Sequence, residues 1–90
     1  MKVAILMGSP RDDEKMAGAS EMLTRFGVEH EVHVMSAHRT PEEVAEFASN
    51  ARSNGFGAII CGAGMAAHLA GVVSAHTTIP VIGVPLSGGI

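Results

Sequence analysis

Two adjacent side chains that could perform chemistry, His38 and Arg39, stand in the segment Ser36–Arg39, directly after a predicted strand. Arginine clamps anions well because its guanidinium presents several hydrogen-bond donors in a rigid fork. Histidine can take up or release a proton near neutral pH. The pattern therefore fits an anion site beside a proton-transfer group, and the alternative is a loop with two solvated side chains.

A second candidate is the loop Gly8–Asp12, which joins a predicted strand to a predicted helix. The free backbone amides and the dipole at the start of a helix attract anions, and the Ser9 hydroxyl can donate a further hydrogen bond. The Asp12 carboxylate would repel a phosphate but would accept hydrogen bonds from sugar hydroxyls. A ligand with a phosphate and a ribose fits both residues, whereas the simpler alternative is that Asp12 only caps the helix.

The segment Gly62–Ala67 matches the G-x-G-x-x-A pattern of dinucleotide-binding turns. That pattern belongs to a first strand–helix–strand unit and needs an acidic residue about 20 positions later. This chain has no acid in that region, so we do not expect NAD binding. Gly62 and Gly64 either form a tight turn that packs a helix on the sheet or let a substrate lie against the backbone.

Histidine and cysteine residues do not form a metal-binding pattern in this sequence. His30 and His33 would lie on opposite faces of a strand, and no Cys or carboxylate stands at ligand spacing from His38 or His68. We therefore expect no metal site. A lone histidine such as His68 usually serves packing, unless its helix end faces the site. Cys61 has no evident base beside it, so we expect it to be buried and inert.

The elements that must position these residues follow from the hydrophobic pattern. Short apolar runs bounded by turn residues predict four strands, over Lys2–Met7, His30–Met35, Gly57–Cys61 and Pro80–Pro85. Helices are predicted between them, the third over Met65–His76 after a glycine turn at Gly62–Gly64. This alternation predicts an α/β fold with a parallel sheet and helices on both faces. Ligands of such sheets bind beyond the carboxyl ends of the strands, where the candidate loops lie.

Two helix starts carry local signals. Asp12 or Asp13 can cap the first helix, whose apolar face would comprise Met16, Ala19, Leu23 and Phe26. Thr40 and Glu43 predict a capping box at the second helix, with Pro41 at the first helical position.

Composition excludes several classes of protein. The net charge is −3, the six basic residues are scattered, and Trp and Tyr are absent, so the chain has neither the basic stripe nor the stacking platforms of a nucleic-acid binder. A single cysteine favours the reducing cytoplasm. The apolar run Gly57–Val73 is interrupted by His68 and is short for a membrane span. The 90 residues allow one domain, and 47% apolar residues favour an oligomer or part of a larger domain.

Four motifs, in this order, resemble those of the PurE family of purine biosynthesis, the N5-carboxyaminoimidazole ribonucleotide mutases. They lie at Gly8–Met16, Ser36–Pro41, Gly62–Gly71 and Pro80–Pro85, and the resemblance runs through all 90 residues. SAHRTP and GAGxAAHLxG together are the specific part. The resemblance implies a flavodoxin-like three-layer α/β/α sandwich assembled as a homo-octamer. It also implies transfer of a carboxylate from the exocyclic nitrogen to ring carbon C4 by release and recapture of CO2, without ATP, metal or cofactor.

The resemblance also implies roles for individual residues. His38 matches the catalytic general acid/base of the family. Ser9, Asp12, Ser36 and Arg39 match positions that hold the substrate. Three of these, Ser9, Asp12 and Arg39, match the positions that the family uses for phosphate and ribose. Gly62, Gly64 and His68 match positions close to the base and carboxylate of the substrate.

A second branch of the family, the aminoimidazole ribonucleotide carboxylases, uses CO2 directly and typically has Lys where Arg39 stands. Arg39 and His68 therefore favour the mutase, with the carboxylase or an inactive ribonucleotide-binding fragment as alternatives. The chain departs from the family pattern at Pro10–Asp13, Met65 and Ala70. Family members continue well beyond Ile90. We therefore expect a single, incomplete domain over residues 1–90, truncated after the fourth strand, inactive alone and cytoplasmic, with no nucleic-acid or membrane partner.

Overall fold

Four parallel strands form the sheet of the protein, for which the computed structural model describes residues 1–64 and 68–86. They are β1 (Lys2–Met7), β2 (His30–Val34), β3 (Phe56–Ala63) and β4 (Val81–Pro85), in the order β2-β1-β3-β4. β1 is central, and its residues 3–7 are buried, which explains an apolar run without alternation. The predicted α/β class and parallel sheet are confirmed.

Helices cover both faces of this sheet. α1 (Asp13–Arg25) packs on one face, where Met16 lies against Ile5 and Met7 of β1. α2 (Pro41–Asn50) and α3 (His68–Ala75) pack on the opposite face over a larger cluster that includes Leu6 and Ile59. The predicted third helix began at residue 65, and residues 65–67 lie outside the described part of the chain. The expected three layers, helix, sheet and helix, are confirmed for the described residues.

The caps of the first two helices differ from the predicted ones. Asp12 occupies the N-cap position of α1, but its side chain makes no capping hydrogen bond, and a 3-10 turn over Pro10–Asp12 precedes the helix. Thr40 is the N-cap of α2, also without a side-chain capping bond. The predicted capping box is wrong because the Thr40 backbone N–H already donates to the Ser36 carbonyl oxygen at 2.9 Å, so Glu43 has no free amide to accept from.

Phe26 does not belong to the buried face of α1. The helix ends at Arg25, and Phe26 at the C-cap is 72% exposed, because Gly27 adopts a φ of +70° and turns the chain away. Met16 is buried on that face, with Ala19 and Leu23 packed beside it, as predicted.

β3 is longer than predicted, so the expected glycine turn at residues 62–64 begins only after Ala63. Gly62 is buried and lies in register with Met7 of β1 and Val84 of β4. A Cβ on Gly62 would lie 2.8 Å from Cε of Met16 and closer still to the sulfur. Glycine at this position leaves room for the Met16 side chain, so that α1 packs closely on the sheet, whereas the prediction placed Gly62 in a turn before the third helix.

Candidate active site

The loop after β2 is held by hydrogen bonds of its own side chains. Ser36 Oγ accepts from the backbone N–H groups of His38, at 3.2 Å, and Arg39, at 3.1 Å. Thr40 Oγ1 accepts from the Ser36 N–H at 2.9 Å and donates to the Ser36 carbonyl oxygen at 3.1 Å. This turn fixes the backbone while His38 and Arg39 are exposed. Within the loop, Ser36 acts on the backbone of the two residues that could perform chemistry.

Arg39 joins this loop to the loop after β1. Its Nη2 donates to the Gly8 carbonyl oxygen at 3.0 Å, across 31 positions of sequence. The two loops are neighbours because β1 and β2 are adjacent and parallel, so their carboxyl ends lie at the same edge of the sheet. A guanidinium has five N–H donors. One bond to Gly8 therefore leaves donors with which Arg39 can bind an anion.

The loop after β1 differs in detail from the expected anion cradle. Ser9 Oγ accepts from the Arg11 N–H at 3.2 Å, and the Asp12 N–H donates to the Ser9 carbonyl oxygen at 3.0 Å. Two amides expected to be free are therefore bonded within the 3-10 turn. Ser9 caps this turn, and the Asp12 carboxylate, half-buried and without a capping bond, remains able to accept from a ligand hydroxyl.

The two histidines that the sequence placed in different motifs meet in the structure. The rings of His38 and His68 stack with their centroids 5.0 Å apart and their planes inclined by 21°. His68 is the first described residue of α3, so the start of this helix does face the loop after β2. Sequence reasoning left this open because hydrophobic spacing along a helix does not say where its end points. Gly64 lies half-buried just beyond β3, and Gly62 is part of the strand itself.

The cysteine and two further histidines belong to strands rather than to these loops. Cys61 is buried in β3, and burial raises the pKa of its thiol to about 12, which agrees with the prediction of an inert residue. His30 contacts Ser20 of α1 at 2.9 Å, whereas the ring of His33 packs on Phe47 of α2, so the two lie on opposite faces as predicted.

Neither a metal cluster nor a membrane helix is found in residues 1–64 and 68–86. These residues contain no group of three or more His, Cys, Asp or Glu arranged to hold a metal ion. Within the same ranges, none of the helices has the length and apolar character needed to cross a bilayer.

Comparison with known proteins assigns the family. A family model described as AIR carboxylase matches residues 2–89. The chain belongs to the AIR carboxylase family. Curated relatives of this family member include the N5-carboxyaminoimidazole ribonucleotide mutases of Vibrio vulnificus, 57% identical over 86 residues, and Aquifex aeolicus, 55% identical over 84 residues. These matches cover 96% and 93% of the chain, but only 53% and 50% of the relatives. The chain therefore spans about half the length of these curated relatives.

A solved structure supports the same assignment. The crystal structure of Treponema denticola PurE superposes on this AIR carboxylase-family chain with a TM-score of 0.85 at 29% sequence identity. The match covers 93% of the chain and 54% of the PurE chain. The described sheet and its helices are thus similar to part of a PurE subunit.

Proposed function

We propose that this chain contributes the N-terminal part of an N5-carboxyaminoimidazole ribonucleotide mutase of de novo purine biosynthesis. The observation that carries the proposal is the meeting of three strand-end segments. Arg39 bridges the loops after β2 and β1 at 3.0 Å, and His68 of α3 stacks on His38 at 5.0 Å. Curated mutases, one of them 57% identical to the chain, support the choice of reaction.

The proposed reaction is an isomerisation in which the carboxylate leaves the exocyclic nitrogen as CO2 and is recaptured at ring carbon C4. The nitrogen gains a proton as its bond to carbon breaks, and C4 loses its proton after it has bonded to CO2. His38 is the group that moves this proton, since it is exposed on a loop with a fixed backbone. The stacked ring of His68 lies on the side of His38 where we place the base and the carboxylate.

The remaining site residues hold the ribonucleotide in this proposal. Arg39 and Ser9 bind the phosphate, and Asp12 accepts hydrogen bonds from the ribose hydroxyls. All three lie at the loop after β1, to which Arg39 is joined by its bond to Gly8. Ser36 supports the turn that carries His38, and Gly62 and Gly64 let the substrate approach the end of β3. We further propose that the complete enzyme is cytoplasmic and assembles as a homo-octamer, and that it acts without a cofactor.

An aminoimidazole ribonucleotide carboxylase is the second candidate, favoured by the description of the matching family model. Arginine at position 39 and histidine at position 68 favour the mutase. Supplying bicarbonate with the uncarboxylated nucleotide distinguishes the two, because only a carboxylase turns this pair over efficiently. A chain that binds the nucleotide but converts neither substrate would be the third alternative, a ribonucleotide-binding fragment.

The proposal is tested by His38→Asn in a chain completed with the C-terminal part of the Vibrio vulnificus relative. We expect kcat for the carboxylated substrate to fall by about a hundredfold to ten-thousandfold, since a placed proton-transfer group contributes that much, while nucleotide binding survives. His76→Asn is the matched control, because His76 is also exposed but follows the far end of α3. An unchanged kcat in the His38 variant would remove this residue from the mechanism.

A further inference from the structure

The outer edge of β2 carries apolar side chains that the described chain leaves partly uncovered. β2 is the end strand of the sheet. Val32 and Val34 lie in register with Ile5 and Met7 on the α1 face, yet each is 44% exposed. An end strand with apolar side chains is a template for pairing with another strand.

The backbone pattern shows which groups of β2 face outward. The Val3 N–H donates to the Glu29 carbonyl oxygen at 3.0 Å, and the Met35 N–H donates to the Met7 carbonyl oxygen at 2.9 Å. Glu29 and Met35, which flank β2 and bond to β1, both have odd numbers, and the direction of backbone groups alternates along a strand. The N–H and C=O groups of His30, Val32 and Val34 therefore point away from β1.

We propose that β2 pairs antiparallel with β2 of a second copy of this chain, about a two-fold axis at Val32. In this register Val32 lies opposite Val32, and His30 lies opposite Val34, so that all the outward groups of the strand find partners. These are the hydrogen-bonded pairs of an antiparallel ladder. The contact is isologous and closes with two copies. It does not rest on the proposed function.

Hydrogen-bond complementarity favours the same register, because the Glu31 carboxylate can accept a hydrogen bond from the His33 ring. Glu31 of one copy lies opposite His33 of the other, at the non-hydrogen-bonded positions where side chains approach most closely. Both side chains already stand on the α2 face of the strand, where Glu31 contacts Lys2 at 2.6 Å and His33 at 2.9 Å. A shift by one residue would place Val32 opposite Glu31 or His33. The pairing of Val32 with Val32, and that of Glu31 with His33, would then be lost.

The opposite edge of the sheet is less suited to this pairing. β4 ends in Pro85 and is preceded by Pro80, and neither residue has an N–H to donate. Gly83 in its middle has no side chain to contribute to a cross-strand pair. β4 therefore supplies a control surface, because Ile82 is exposed to 53%, close to the exposure of Val32.

The acidic side chains of α2 work against the pairing, and this provides a test. A groove of about 350 Å³ runs beside β2 on the α2 face and is lined in part by His33, Glu43 and Glu46. A two-fold axis at Val32 brings this groove next to its copy, so like charges of α2 approach each other. We therefore expect a weak contact that Glu46→Gln strengthens, and that salt strengthens by screening.

Cross-linking tests the register. Under mild oxidation Val32→Cys should form a disulfide dimer at least about tenfold faster than Ile82→Cys, because opposite Cα atoms of a hydrogen-bonded pair lie about 5.5 Å apart. The native Cys61 is buried, so it does not compete. Equal rates for the two variants, or no dimer from Val32→Cys, would overturn the proposal.

Amide exchange tests the unmodified chain, so the proposal does not depend on a variant that folds. Raising the protein concentration should slow exchange at the amides of Val32 and Val34, while the amide of Gly83, which points outward from the edge of β4, stays unchanged. In sedimentation experiments Val32→Lys should weaken self-association about tenfold, a change of about 1.4 kcal/mol, and Ile82→Lys should not. If the exchange rate of the Val32 amide does not vary with protein concentration, β2 does not pair with a second copy of the chain.

Discussion

At the scale of single residues, Arg39 makes one contact that the structure shows and has a second task that we propose. One guanidinium bond goes to the Gly8 carbonyl and ties two loops together, while the exposed remainder of the fork is available for a phosphate. Lysine would keep the charge but lose the fork that allows one side chain to hold Gly8 and to bind the proposed phosphate at once. The spacing of the sequence indicated the anion site, but not the bond to Gly8, because Gly8 lies 31 positions away.

Replacing Arg39 by alanine should therefore act mainly on binding. We expect KM for the ribonucleotide to rise about tenfold to a hundredfold in the completed chain, since a charge-assisted hydrogen bond contributes about 1.5–3 kcal/mol. Arg52→Ala is the control, because Arg52 is also exposed but lies in the turn before β3. Steady-state kinetics measure both constants. A fall in kcat at unchanged KM would contradict phosphate binding by Arg39.

At the scale of elements, the contact of α1 with β3 depends on the missing side chain of Gly62. Gly62→Ala should lower the free energy of unfolding by about 1–3 kcal/mol, because the added methyl group overpacks the buried Met16. Gly71→Ala on α3 is the matched control, since a Cβ there meets nothing within 4 Å. Alanine in that helix should stabilise the protein by up to about 1 kcal/mol. Denaturant unfolding measures both, and equal effects of the two substitutions would refute the packing argument.

The edge of β2 also makes stability depend on pH. The hydrogen bond from Lys2, and then that from His33, holds the pKa of the Glu31 carboxyl below its ordinary value of 4.5. A lowered pKa in the folded state means that this stabilisation is fully present above about pH 4.5. It is lost as the pH falls through the lower folded value. Lys2 also lies 4.6 Å from the Phe56 ring centroid, which links the cluster to β3.

Thermal unfolding at a series of pH values measures this contribution. We expect Glu31→Gln to lower Tm at pH 7 and to approach the parent Tm well below pH 4.5, with a smaller difference at high salt because the cluster is partly exposed. Glu21→Gln, an exposed carboxylate of α1 outside this cluster, is the control. A Glu31→Gln effect of the same size at every pH would show that the carboxylate charge is not involved.

At the scale of the whole molecule, the α1 face of the sheet is only partly covered by described residues. Ser20 contacts His30 of β2, so at 100° per residue Met22 lies on the other side of α1, and Phe26 follows the end of this helix. They are 49% and 72% exposed, and Ile82 of β4, in register with Ile60 on the same face, is also exposed. Met22, Phe26 and Ile82 are therefore exposed apolar surface of the described chain.

This surface predicts what a longer chain would change. The 90 residues alone should show no carboxylate transfer. They should also bind an apolar fluorescent dye, because exposed apolar surface takes up such probes. Ile82→Ser should reduce dye binding, whereas Thr78→Ser, at an exposed position before β4, should not. Co-expression with the C-terminal part of the Vibrio vulnificus relative should restore activity and lower dye binding. Turnover by the 90 residues alone would contradict this prediction.

The parallel α/β architecture was predictable from the sequence, because apolar runs and their glycine or proline boundaries are local signals. Strands that alternate with helices then pair in parallel through right-handed crossovers. β1 is found over Lys2–Met7, as predicted, and the helices lie on both faces. The sequence also predicted that His38 and Arg39 lie side by side, since they are neighbours along the chain.

Which motifs meet, and how the helices begin, depends on contacts that arise only in the folded chain. The stacking of His68 on His38 depends on where α3 starts, and the bond from Arg39 to Gly8 depends on the neighbouring positions of β1 and β2. The extension of β3 through Gly62 follows from pairing with strands on both sides, which overrides the turn preference of glycine. The physical reason is the same in each case: local preferences are worth about 1 kcal/mol or less per residue, and contacts between distant segments outweigh them.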